Sequence, residues 1–279
     1  VHSLAISGNK LFAGTETRGI WQSTNNGATW TLTSVYNKYV RSIAASGSNI
    51  FAGTDEEGIW LSTDNGTNWV QTALHIDNVS SLIISGSNIF AGTGRQGVYN
   101  SSNNVISWTQ TALNNQSVAS FTTSGNTFFA GSNYCGVYLS TNSGISWTQN
   151  GLENKSVLSL SSSGSNTLAG TFQGIYLSTN NGTTWSQTEL NNKIANSLIV
   201  SGNNIYAGTN FGIYLTTNNG IFWTQASLGY KNVLSLAISG SNIFAGTYQE
   251  GVWHSTNNGT SWAQTALNNQ YVYSLAISG

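Results

Sequence analysis

Three features of the 279-residue sequence predict an all-β fold, a seven-bladed β-propeller with four antiparallel strands per blade. A unit of 38 or 39 residues recurs seven times, each copy divides into four short strand-like segments between turn signals, and no window carries a helical period. The recurrence is plainest in Ala-Gly-Thr and its variants, whose Gly falls at 14, 53, 92, 131, 170, 208 and 246. A Trp at 30, 69, 108, 147, 185, 223 and 262 keeps nearly the same period. No linker or composition shift marks a second domain. Residues 1–279 therefore form one predicted domain of seven repeats with one duplicated terminal strand, residues 1–8 (VHSLAISG) and 272–279 (VYSLAISG).

The unit spanning residues 40–74 justifies each element in order. Strand A, residues 42–46, is small and apolar and stops at Gly47-Ser48-Asn49. Strand B, 50–54, leads into a variable loop ending at Gly58. Strand C, 59–63, runs into Asp64-Asn65-Gly66, and strand D, 69–74, closes the unit. Each segment is rich in β-branched and aromatic residues and bounded by Gly, Asn or Ser, which is strand-and-turn punctuation. A solenoid of such units needs polar capping repeats, and none is visible. Closure into a ring removes edge strands that a nearly uncharged, proline-free chain cannot otherwise protect. The two terminal copies carry the same apolar alternation and compete for the innermost position of one blade. One is expected to fill it; the other is displaced, pairs with another molecule, or leads into a further module. A chain lacking 272–279 is accordingly expected to remain a folded monomer.

Charged residues are only 6% of the chain, 8 Lys plus Arg and 9 Asp plus Glu, for a net charge of −1. An ordinary domain has about 25%. This balance leaves no electrostatic footprint for nucleic acid or an anionic membrane surface. No apolar run approaches the ~20 residues of a membrane span. Cys135 stands alone, so no internal disulfide is expected, and neither a metal-ligand spacing nor a cofactor motif occurs. The chain starts at Val1 without Met or a secretory leader pattern, as a processed form or fragment does.

The segment Ser62-Thr63-Asp64-Asn65-Gly66-Thr67-Asn68-Trp69 resembles the Asp-box, or BNR, repeat: Ser/Thr-x-Asp-x-Gly-x-x-Trp between the third and fourth strands of a blade. Copies begin at Ser23, Ser62, Ser101, Ser140, Ser178, Thr216 and Ser255, so the resemblance covers essentially the whole chain. Asp is present only at Asp64, with Asn at 25, 103, 142, 180, 218 and 257, and Val105 replaces the turn Gly in the third copy. Asn accepts backbone N–H bonds inside its own turn as Asp does. Val105 at a position needing φ > 0 is expected to make its turn irregular or strained. The resemblance implies that the box is a folding element and not a catalytic one. Proteins with it include sialidases, sortilin-type receptors, photosystem II assembly factors, xyloglucanases and secreted bacterial surface proteins; the phrasing here is most similar to the last group. It thereby implies an extracellular or cell-surface location.

Comparison of the seven copies locates the non-generic residues. The A–B and C–D turns are nearly constant, whereas the B–C loops and D–A connections vary throughout. Strand parity puts both variable loops on one face of the predicted ring, along with 15 of the 17 charged residues, Lys10 and Asp64 being the exceptions. A constant scaffold face opposite a diversified one is the arrangement of a recognition surface. The competing explanation is drift in exposed loops opposite geometrically demanding Gly turns. The candidate ligand-binding residues are Arg18, Tyr36, Arg41, Glu56, Arg95, Tyr134, Phe172, Phe211, Tyr230, Tyr248 and Tyr271, since aromatic rings and Arg are typical interface anchors. One composite site is expected, binding a glycan or a surface protein. A second possibility is seven equal sugar-stacking sites at Trp21, Trp60, Tyr99, Tyr138, Tyr176, Tyr214 and Trp253, weighed against plain packing between blades.

Catalysis is the alternative from another class. Sialidases grip a carboxylate with three Arg, and this chain has only Arg18, Arg41 and Arg95, but their Arg-Ile-Pro signature needs a proline that is absent. A glycosidase pair would draw on Glu16, Asp55, Glu56, Glu57 or Asp77, and adjacent acids on one loop do not span a cleft. The acidic run 55–57 suits Ca²⁺ less well than it suits solvent. The sequence thus points to a non-catalytic binding or surface module, monomeric or assembled through its duplicated strand, with a passive spacer and a sialidase-like hydrolase as the alternatives.

Overall fold

A computed structural model describes residues 1–103, 105 and 107–276. It contains seven sheets of four antiparallel strands, each in simple chain order, and no helix among the described residues. Blades 1 to 7 cover residues 3–32, 40–71, 79–110, 118–149, 157–191, 195–225 and 233–264. The chain forms two compact units: Val1–Ala119 with Gly144–Ser146, holding blades 1 to 3, and Ser120–Ser143 with Trp147–Ile277, holding most of blades 4 to 7.

Blade 2 shows why the sequence folds this way. Its strands A to D are Val40–Ser46, Asn49–Thr54, Ile59–Ser62 and Val70–Gln71. Strand B is covered on both sides, with Ile50, Phe51, Ala52, Gly53 and Thr54 all buried, so it reads as a continuous apolar run and not an alternation. Gly53 must be glycine because a Cβ there would lie 2.5 Å from both Val79 Cγ1 and Ser42 Oγ. The next blade's first residue thus packs directly onto the backbone of this one.

That contact is part of a repeating latch. Val40 N–H donates to Thr15 O (2.9 Å), and Ser42 Oγ donates to the carbonyl of Val79 (3.1 Å). The same side-chain donation recurs from Ser81 to Val118 (3.1 Å), from Ser159 to Ala195 (3.3 Å) and from Ser235 to Val272 (3.0 Å). Asn196 Nδ2 substitutes for the hydroxyl on Val233 O (2.9 Å).

Ser3–Ser7 is strand A of blade 1, paired with Lys10–Gly14. Val272 latches onto blade 7: its N–H donates to Thr247 O (3.0 Å), and a Cβ on Gly246 would lie 2.6 Å from its Cγ1. Of the predicted strand 272–279, residues 277–279 lie outside the described residues.

One expectation is corrected. Strand D is shorter than residues 69–74: it spans Val70–Gln71, and beyond it Thr72 N–H donates to Ile59 O (2.9 Å). Only blade 5 keeps a six-residue fourth strand, Ser186–Asn191. Val105 keeps one bond of the repeated turn: its N–H donates to Ser101 Oγ (3.0 Å), as Gly27 N–H does to Ser23 Oγ (2.9 Å). The strain expected of it is present, since Val105 holds φ at 61°, where a β-branched residue costs about 1–2 kcal/mol. Its side chain is buried with Phe51, Leu74 and Ile89, which offsets that cost.

Candidate recognition surface

The variable loops hang from a constant frame. In blade 2, Thr54 Oγ1 donates to Gly58 O (2.9 Å) and accepts from Glu57 N–H (3.1 Å), closing a tight loop that displays residues 55–57. Gly58, at φ 70°, lets the Leu74 carbonyl approach to 1.7 Å of where a Cβ would stand. Gln71 Nε2 then donates to Glu57 O (2.8 Å) and ties strand D to the loop. The same glutamine bond recurs from Gln110, Gln149, Gln187, Gln225 and Gln264. Thr, Gly and Gln therefore fix the loop backbone while its side chains are free to differ. The Gln recurring in strand D of six blades, with Leu32 in its place in blade 1, is the signal in the sequence for this frame.

In the first unit the displayed side chains form an ionic network. Arg41 Nε donates to Asp55 Oδ1 (2.8 Å), and its guanidinium lies 4.4 Å from the centre of the Tyr39 ring. Lys38 pairs with Glu57. The Asp55 hydrogen bond holds the Arg41 pKa above its ordinary value. Tyr39 Oη lies 3.3 Å from His2 Nε2, which is 3.6 Å from Glu16. Burial, followed by the nearby N-terminal ammonium, pushes the His2 pKa below its usual value, with Glu16 opposing.

Two polar cavities adjoin this network. One, of about 370 Å³, is lined by Asp55, Glu56, Asp77, Arg95 and Gln96; the other, of about 320 Å³, by Glu16, Lys38, Tyr39 and again Asp55 and Glu56. Tyr36, 57% exposed, lines a third opening with Lys38 and Trp60. Asp77 joins Asp55 and Glu56 from a different loop, so the acids of this region are not confined to one loop as the sequence suggested. Arg41, Glu56 and Arg95 thus gather near the shared Asp55. Arg18 is exposed at its loop tip and lines neither cavity. Among the described residues, no three His, Cys, Asp or Glu side chains are placed to hold a metal ion.

In the second unit the expected residues are exposed aromatics: Tyr134, Phe172, Phe211, Tyr230, Tyr248 and Tyr271. Lys193 covers one face of Phe211 (4.9 Å). Tyr248 meets Tyr271 edge-on, with centroids 4.6 Å apart at 88°. The aromatic series at Trp21 and its six counterparts is half-buried or buried. Trp60, Tyr99, Tyr176, Tyr214 and Trp253 pack against hydrophobic core clusters, so packing accounts for these five. Tyr39, Asp55 and Asp77 belong to the surface although the choice of aromatic and Arg anchors passed them over.

No protein-family model matches the sequence, and no curated protein matches it. Similarity to solved structures is extensive. The chain is 12% identical to the computationally designed Ika8 protein, with a TM-score of 0.83 over 100% of this chain and 90% of that one. It is 19% identical to the extracellular domain of BT4673 from B. thetaiotaomicron, with a TM-score of 0.73 over 91% of this chain and 38% of that one. It is 13% identical to the GH74 xyloglucanase from Xanthomonas campestris, with a TM-score of 0.63 over 94% of this chain and 60% of that one. At these identities the likeness establishes the β-propeller fold. The described residues include no helix long and apolar enough to cross a membrane.

Proposed function

We propose that the chain is a non-catalytic recognition module of the Asp-box type, extracellular or at the cell surface, which binds a glycan through its B–C and D–A loops. One observation carries this reading: among the described residues, every exposed large aromatic except Phe222 and Tyr273 belongs to those loops. Exposed Tyr and Phe on a rigid backbone frame supply flat contact area at low entropic cost. Acids and Arg beside them supply hydrogen bonds to hydroxyls. The extracellular and xyloglucanase likenesses support the reading.

A glycan array probed with the purified chain tests it. Binding that disappears when all seven B–C loops become Gly- and Ser-rich supports recognition by these loops; undiminished binding by that folded variant removes them from the site. Absence of binding to every glycan favours a passive spacer. A hydrolase is the second reading, favoured by Asp55, Glu56 and Asp77 around one cavity. Release of reducing sugar from xyloglucan that is lost in Asp77→Asn would establish it.

A further inference from the structure

We propose that Tyr271, Tyr273 and Tyr248 form an open stacking terrace for one neutral pyranose ring, a reading that rests on glycan recognition and names the blade that supplies it. Tyr271 and Tyr273 are two residues apart and flank Val272. Their rings are nearly parallel, at 9°, with centroids 6.3 Å apart. Tyr248 braces Tyr271 edge-on at 4.6 Å, and Gln249 Nε2 donates to the Tyr271 hydroxyl (2.7 Å). Yet the three rings stay 42–44% exposed. They are oriented by one another and still open to solvent.

The repeat supplies an internal contrast. Tyr271 and Tyr273 flank Val272 as Tyr39 and Arg41 flank Val40. In blade 2, Arg41 lies over the Tyr39 ring and is held there by Asp55, so the protein's own cation occupies that face. In the blade-7 copy a second tyrosine stands in the arginine's place. The neighbouring charges select a neutral ligand: Lys231 is paired with Glu250 and lies 4.6 Å from the Trp253 ring. Hydroxyls of a pyranose match the amide of Gln249 and the phenols, while its C–H face matches the rings.

Titration calorimetry of the full chain with cellohexaose, a xyloglucan oligosaccharide, sialyllactose and a proline-rich peptide tests the terrace. The parent is expected to bind a neutral oligosaccharide, with affinity reduced at least about tenfold in Tyr271→Ala and Tyr273→Ala. Tyr271→Phe should bind nearly as the parent does. Tyr273→Arg, which replaces the second ring of the terrace with a cation, should abolish binding without lowering the melting temperature, and it serves if an alanine variant does not fold. Equal binding by parent and Tyr273→Arg overturns the terrace and leaves glycan recognition standing. Binding of sialyllactose or the peptide alone overturns the neutral-sugar assignment. No binding of any saccharide overturns both readings.

Discussion

Asn25 and Asp64 both accept the backbone N–H four residues on (2.9 and 2.8 Å), but Asn25 turns its amide NH₂ toward Thr29 Oγ1 (2.9 Å) whereas Asp64 receives the side-chain NH₂ of Asn68 (2.6 Å). Asn103, Asn180 and Asn257 likewise face Ser107, Thr184 and Ser261 hydroxyls, so the acceptor or donor at the fifth turn position follows the Asx residue. Donation from Asn68, backbone first, lowers the Asp64 pKa to about 2. The stabilising hydrogen bonds are therefore complete above the ordinary carboxylate range and lost as pH falls through about 2. Carboxyl-detected NMR should give Asp64 a midpoint near 2, below the ordinary carboxylate range. The sequence made this turn legible because a side-chain acceptor and a left-handed residue are local requirements. It left Asp77 obscure, because its meeting with Asp55 and Glu56 depends on how successive blades abut.

At the level of the element, the glycines of one blade have different reasons to be glycine. Gly47, at φ 59°, has nothing within 4 Å of its missing Cβ, so Gly47→Ala should cost only the left-handed backbone penalty, about 1 kcal/mol. Gly66, at φ 82°, would put a Cβ 2.3 Å from Phe12 of the preceding blade. Gly66→Ala should cost about 3 kcal/mol, adding overpacking to the same penalty. Urea unfolding of the two variants checks the difference. Val272 is 7% exposed, and Val272→Ala should lower stability by about 2 kcal/mol, read in the same way. Strand existence and order followed from the repeat, whereas the early end of strand D did not. That end coincides with the Gln71 tie and with the carbonyl lodged beside Gly58, neither of which alters hydrophobic patterning.

For the whole molecule, 17 charged side chains leave few groups through which acid can act. His2 is one, because its folded pKa lies below its ordinary value of 6.5. Below about pH 6.5 the unfolded chain takes up that proton more readily than the folded one, so stability declines as pH falls toward the folded pKa and is flat above the window. Melting curves from pH 8 to 5 should show this decline in the parent and a smaller one in His2→Gln. The blade-to-blade latch has a kinetic consequence as well. Its hydrogen bonds join Ser42 to Val79, Ser81 to Val118 and Ser235 to Val272, each spanning 37 residues. Within each unit, assembly can advance as a series of loop closures of one size, each with nearly the same entropic barrier and each preparing the landing surface for the next. Such a chain has no single privileged nucleus, and a defect in one blade slows the step that crosses it while its neighbours go on zipping at their own pace.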